Sequence, residues 1–337
     1  MDDTFGQKKS LGCFAHQLNL VVQSAFNEAI GFKTILAKVK VIVTYIKSSI
    51  KASDLLRKFQ LESGSREDQI LKMKQECPTR WNSAFYMLER FILLSEIIAR
   101  VLFQLDTAPQ NLTSLEIKLI KESIYLLQPF EQITREISGE KFMTASKIIP
   151  IRTILKKHLE SHIVMVTEEG KILQQRLKIE FYQRFLTVEK ETLLGICTIL
   201  DPRFKKVHFQ SPVSAANAIG LIDEEMRNII ETQHRPTVVS DVSVQISTEE
   251  NKIGLWEEHD AMVNTESNQY HDDEVNCEKR LYLQQPIIDC MQSPIEFWLK
   301  SPFPVLTKIA LKYFTVVATS VASERLFSKA GNIITDH

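Results

Sequence analysis

The sequence predicts a mostly α fold with a residual α/β portion. Apolar residues recur at helical spacing between positions 16 and 230, and the 337 residues include only 10 glycines, a composition that favours helices over tight-turned sheets. Strand-like signals sit in the β-branched run Val39–Thr44 and in residues Gln69–Cys77, where branched side chains suit a pleated surface.

The elements follow in chain order. Between His16 and Ile30, residues Leu18, Val21, Val22, Ala25, Phe26, Ala29 and Ile30 form one helical face. From Phe32 to Phe59 the pattern stays helical, with Ile35, Leu36, Val39, Ile42, Val43 and Ile46 inward and Lys38, Lys40, Lys47 and Lys51 largely outward. Leu61–Asp68 is polar and turn-like, and a short strand is expected within Gln69–Cys77, ended by Pro78. Trp81–Leu105 reads as one long helix whose face includes Phe85, Leu88, Ile92, Ile97, Val101 and Leu105. Thr113 and Glu116 have capping-box spacing ahead of a helix that runs to about Ile137, because hydroxyl and carboxylate together satisfy free backbone donors. Ser146–Leu159 is helical and is kinked or started by Pro150, and Lys171–Phe185 is a further amphipathic helix. Ser211–Glu278 changes character: apart from a short helix at Ala216–Ile230, it reads as an acidic loop or linker without periodicity over Val238–Asn276. Order returns at Leu281, where Phe297, Trp298, Phe303 and Val305 lead into a helix using Leu306, Ile309, Ala310 and Tyr313.

Length suits one large or two modest domains, and 44% hydrophobic residues suit a globular chain. No run of 18 or more apolar residues occurs, and no apolar stretch follows a basic start, so neither a membrane span nor a secretory signal is expected. The five cysteines, Cys13, Cys77, Cys197, Cys277 and Cys290, are scattered and odd in number, which suits reduced intracellular thiols. The formal net charge of −1 hides an asymmetry. Residues 1–210 hold 31 Lys and Arg against 23 Asp and Glu, whereas residues 211–290 hold 5 against 16. A mildly basic body permits phosphate contact without requiring it, and the acidic stretch is unsuited to DNA.

Five short motifs stand out. They are Cys13-Phe-Ala-His16 leading into a helix, Arg80-Trp81-Asn82-Ser83, Leu200-Asp-Pro-Arg-Phe-Lys205, Pro294-Ile-Glu-Phe-Trp298, and the small-residue run Val317–Gly331 with Glu324 at its centre. In this order they resemble the signatures of hAT-family transposases and of the BED-type zinc-finger proteins derived from them. The resemblance implies an RNase H-like fold with a large helical insertion and a C-terminal dimerisation region. It implies segments 1–106 (partial RNase H-like), 107–210 (helical insertion), 211–280 (acidic flexible linker) and 281–337 (dimerisation region).

Family transposases cut DNA with three carboxylates that hold divalent metal, because two Mg²⁺ ions stabilise the attacking and leaving oxygens of phosphoryl transfer and such hard ions need several converging oxygen ligands. Glu324 matches the third carboxylate position by the resemblance. The other two are expected upstream of Cys13, where this sequence offers only Asp2 and Asp3; neighbours on a strand point to opposite faces and converge poorly. A truncated chain with no intact catalytic set is expected, with no cofactor, Mg²⁺ being implied only for an active enzyme. Cys13 and His16 lack the further pair that zinc requires, so neither a metal site nor the relatives' BED finger is expected in this sequence. Arg80 and Trp81 are implied to touch DNA, the guanidinium on phosphate and the indole on a base, although packing beside Phe85 is the alternative for Trp81. Phe297, Trp298, Phe303, Leu306, Ile309, Tyr313, Phe314 and Phe327 are expected to serve dimerisation, since aromatic density of this kind marks buried interfaces; closing an intramolecular core is a compatible role.

The resulting expectation is a non-enzymatic, transposase-derived nuclear protein. Its partners would be a second copy or a related hAT protein, with double-stranded DNA besides, and neither a membrane nor a small-molecule substrate. A piece of an active transposase and an interaction scaffold without DNA binding are the alternatives.

Overall fold

Helix follows helix along the chain in the computed structural model of the protein. The structure describes residues 12–77, 80–139, 144–161, 165–233 and 277–318. Of these, 74% are helical and none lies in a strand. The chain divides into two compact units.

The first unit comprises residues 1–141, 151–188 and 318–337. Its helices are α1 (Phe14–Glu28), α2 (Ile30–Ser48), α3 (Ile50–Glu62), α4 (Trp81–Leu93), α5 (Ser95–Phe103), α6 (Ser114–Gly139), most of α7 (Ile148–Glu160) and α8 (Glu168–Phe185). α1 packs chiefly along α8, α4 against α6, and α3 against α5. The predicted inward face of α2 is the observed one: Val39, Ile42, Val43 and Ile46 are all buried. Tertiary burial thus overrides the strand preference of the β-branched run Val39–Thr44.

Two predicted long helices are broken. Phe32–Phe59 is split at Ser49, whose hydroxyl accepts from Ala52 N at 3.2 Å and so caps α3. Trp81–Leu105 is split at Leu94, with φ −105° and ψ 10°, and Leu94 is itself buried. The apolar face runs through both breaks, so periodicity alone cannot show them. Pro150 stands in the first turn of α7 behind a 3₁₀ turn at Ala145–Lys147 and therefore starts the helix.

The strand expected in Gln69–Cys77 has no partner strand among the described residues. After a 3₁₀ turn at Glu67–Gln69 the backbone runs on as an irregular strap. Gln60, buried on α3, takes the place of a neighbouring strand: its Oε1 accepts from Leu71 N at 2.9 Å and its Nε2 donates to Leu71 O at 3.1 Å. Arg90 Nη1 donates to Lys72 O at 2.7 Å, and Met73 is buried beneath. Side chains thus satisfy backbone groups that a sheet would otherwise pair.

Helix starts are held by the residues expected. Glu116 N donates to Thr113 Oγ1 at 3.3 Å, and Thr113 N donates to Glu116 Oε2 at 2.8 Å, completing the capping box. Glu122 of α6 plays a comparable role for α8. Its carboxylate accepts from Val166 N at 2.9 Å and from Thr167 Oγ1 at 2.5 Å, and Thr167 Oγ1 accepts from Gly170 N. Burial alone would raise the Glu122 pKa, but these donors outweigh it and hold the carboxyl below its ordinary value. Gly170 leaves room for this knot, because a Cβ there would lie 2.6 Å from Thr167 Oγ1 and 2.7 Å from Glu122 Oε2. Gly170→Ala is expected to destabilise the first unit by about 1–3 kcal/mol despite alanine's better helix propensity. Urea unfolding followed by circular dichroism measures it, and a stabilised variant would show that the knot relaxes freely.

The second unit comprises residues 142–150 and 189–317. At its centre lies α9 (Thr192–Leu200), buried all round from Leu194 to Leu200, as befits a helix enclosed by others. Around it stand α10 (Pro212–Gln233), α11 (277–284), α12 (Pro294–Leu299) and α13 (Pro304–Tyr313). α10 comes close to α9 at Gly195, where a Cβ would lie 3.0 Å from Ala218 Cβ. The acidic linker expected over 211–280 therefore begins later than the composition suggests: α10 reaches Gln233 and buries Ala218, Ile222, Met226 and Ile230. All of Val238–Asn276 lies outside the described residues. The boundary expected at residues 106 and 107 does not coincide with the division into units, since α6 packs with α4 in the first.

Candidate self-association and DNA-contact sites

The most elaborate polar structure of the second unit is built on Leu200-Asp-Pro-Arg-Phe-Lys205. Asp201, fully buried, accepts at Oδ1 from Arg203 Nε (2.9 Å) and Arg203 N (3.1 Å). At Oδ2 it accepts from Arg203 Nη2 (2.7 Å) and Ser146 Oγ (2.7 Å). This bidentate pairing with a nearly buried guanidinium is the geometry that makes an internal ion pair tolerable. Lys205 takes up a left-handed conformation at φ 46°, a strained one for a residue with a side chain. Its ammonium donates to the carbonyls of Tyr282 (2.5 Å) and Gln285 (2.7 Å) and lies 4.5 Å from the Tyr282 ring centroid. Burial lowers the Lys205 pKa to about 8.

This turn also anchors the chain that follows residue 276. Ile288 N donates to Pro202 O at 3.1 Å, Tyr282 Oη to Ile199 O at 2.8 Å, and Trp298 Nε1 to Leu200 O at 2.9 Å. Glu278, buried on α11, accepts from Leu306 N at 3.1 Å at the start of α13, where a carboxylate satisfies free donors and the helix dipole. The sequence singled out 200–205 only as a motif. The signal for its role lay in Asp201 and Arg203, two residues apart around a proline, within an otherwise apolar stretch.

Of the residues expected to serve dimerisation, Trp298, Phe303, Leu306, Ile309 and Phe314 are buried in the core of this unit, with Phe297 and Tyr313 packed against it. Tyr282 packs tilted against Trp298, centroids 4.8 Å apart, and meets Phe303 edge-on at 6.4 Å. Tyr313 donates to Glu225 Oε2 at 2.8 Å, and burial together with that bond raises its pKa. These aromatics close the unit from within. Phe327 and Glu324 lie outside the described residues.

In the first unit, Trp81 opens α4 and is 3% exposed, its ring 6.3 Å from Phe85 in an edge-on pair. The packing alternative is the one this geometry fits: an indole so enclosed has no face to offer a base. Its Nε1 has no hydrogen-bond partner among the described residues. Arg80, the residue before it, is exposed, as are Lys72 and Lys74 on the strap. Cys13 sits at the N-cap of α1 with His16 exposed on the first turn. Among the described residues, no group of three or more His, Cys, Asp or Glu is placed to hold a metal ion. Nor is any described helix long and apolar enough to cross a membrane. Cys197 is buried, and burial raises its thiol to about 12.

Residues 11–138 match the family model described as the ZBED1 RNase-like helical domain, and residues 278–337 match the hAT family C-terminal dimerisation region. Human zinc finger BED domain-containing protein 4 is 25% identical over 334 residues, covering 96% of this chain and 27% of that protein. Human zinc finger BED domain-containing protein 6 is 24% identical, covering 94% of this chain and 35% of its own length. A Zea mays protein named "Putative AC transposase" is 23% identical, covering 96% of this chain and 41% of its own length. Both matched models and all three relatives are those of hAT transposases or of BED-type proteins, consistent with a hAT-derived BED-type chain. It spans between 27% and 41% of the length of these relatives.

Proposed function

We propose that this chain is the self-associating body of a nuclear, transposase-derived protein that contacts DNA without cutting it and takes part in transcriptional regulation. The observation that carries the reading is the match of residues 278–337 to a dimerisation region. The folded unit around it supports the reading, because Glu278, Tyr282 and Trp298 anchor the described part of that region on α9 and α13. Dimerisation would join two copies of this chain or one copy and a related hAT protein. Co-expression of two differently tagged copies tests it; recovery of one tag without the other refutes self-association.

DNA contact is proposed for Arg80 with Lys72 and Lys74, whose exposed charges suit phosphates. Trp81 is proposed to hold Arg80 in place by packing rather than to stack. Arg80→Ala is expected to weaken binding of duplex DNA equally across sequences and to lower the salt slope by about one, the signature of a lost phosphate contact. A gel-shift titration at several salt concentrations checks it. Absence of any shift at low salt would favour the scaffold without DNA binding.

An RNase H-like arrangement is part of the proposal, supported by the RNase-like match over residues 11–138. Within these 337 residues only Glu324 matches a family carboxylate, and one carboxylate cannot hold two cations. The chain by itself is therefore proposed to need no cofactor. The second reading, a piece of an active transposase using Mg²⁺, draws on the maize relative's name and on the part of that protein this chain does not span. Mg²⁺-dependent strand cleavage by the chain, abolished by Glu324→Gln, would decide for the second reading.

A further inference from the structure

The dimerisation match covers residues whose aromatic side chains point inward, which leaves open where a second copy would dock. In the described part of that region, the large apolar side chains left outside are Leu281, Ile287, Met291, Ile295, Leu299 and Val317, with Met291 at 93% and Leu299 at 67% exposure. Single exposed apolar residues are ordinary. Here Met291, Ile295 and Leu299 fall within nine positions, in the turn before α12 and along that helix. Ile295 and Leu299 are one turn apart and share a side of α12, next to the buried pair Pro294 and Trp298 that fastens the helix to the core. The side is thus both apolar and rigidly held.

Charge says what kind of surface it fits. Glu296 and Lys300 are exposed beside Leu299, one turn apart, and neither has an ion-pair partner among the described residues. In a two-fold contact the same patch meets itself, so residue i touches j and j touches i. Two α12 helices laid antiparallel would set each Glu296 against the other copy's Lys300, with the apolar side chains between. An acidic or basic partner of another kind would satisfy only one of these charges.

We infer that Met291, Ile295 and Leu299, flanked by Glu296 and Lys300, form a two-fold docking surface for a second copy of this chain. The inference rests on the self-association proposed above and specifies its surface. Deleting residues 281–337 would be a poor test, because Tyr282, Trp298 and Leu306 belong to the core of the second unit. The suitable experiment is sedimentation equilibrium of the full chain and of surface variants, with circular dichroism as a check on folding. The Met291→Glu/Leu299→Glu variant is expected to associate at least tenfold more weakly with unchanged helicity. Glu296→Lys is expected to weaken association, and Glu296→Lys/Lys300→Glu to restore it. Phe103→Glu, at a residue 94% exposed in the first unit, is expected to have no effect. If the wild-type chain dimerises and the double-glutamate variant dimerises equally well, the surface is wrong while self-association stands. A monomeric wild type overturns both. Should the double-glutamate variant lose helicity, the charge-reversal pair decides: a double reversal no stronger than Glu296→Lys overturns the two-fold arrangement.

Discussion

Asp201→Ala is expected to destabilise the second unit by about 3–5 kcal/mol, the cost of stranding a buried charge. Asp201 has no exposed surface and accepts from the Arg203 Nε and Nη2 donors and from the Ser146 hydroxyl. Without it the guanidinium, 8% exposed, loses its bidentate carboxylate partner. The turn at residues 200–205 carries the Lys205 and Pro202 contacts to residues 282–288. Urea unfolding followed by circular dichroism measures the change. Because the chain has two units, the transition is to be fitted with more than two states. A loss below about 1 kcal/mol would place the ion pair among those worth little in water.

Trp298→Ala is expected to cost about 3–5 kcal/mol, from the cavity left by the largest side chain in the core of this unit. It also leaves the Leu200 carbonyl without the indole donor, a desolvation penalty of about 1–3 kcal/mol when nothing replaces it. If Trp298 acts inside the unit, as its burial beside Tyr282 requires, the loss is independent of protein concentration. A loss that grows as concentration rises would instead mean that the ring works between copies. Trp298 and Asp201 brace adjacent residues, so the double variant is expected to cost less than the two single losses together.

How much of this was legible in the sequence depended on the reach of each signal. The Thr113 and Glu116 cap was legible because both partners lie within one turn. The inward face of α2 was legible because seven apolar positions repeat with one period. The breaks at Ser49 and Leu94 were not, since apolar spacing continues across them. The strap after Gln69 has the composition of a strand, and only the fold shows that a glutamine amide stands where a neighbouring strand would be.

The candidate sites show the same limit more sharply. Aromatic density between Phe297 and Phe314 was plain, but density does not say which way a ring points. The structure turns those rings inward and leaves Met291 and Leu299 outside, residues without any aromatic signal. Trp81 carried the motif and Arg80 the exposure. Asp201, Ser146 and Tyr282 are far apart in sequence, so their meeting could not be read from spacing.

The central claim is that this chain is a self-associating body, and its mass in solution tests that most directly. Sedimentation equilibrium at about 10 μM, typical of a moderately tight homodimer, is predicted to return about twice the 38.8 kDa chain mass. A value of 38.8 kDa that does not change with concentration would contradict it.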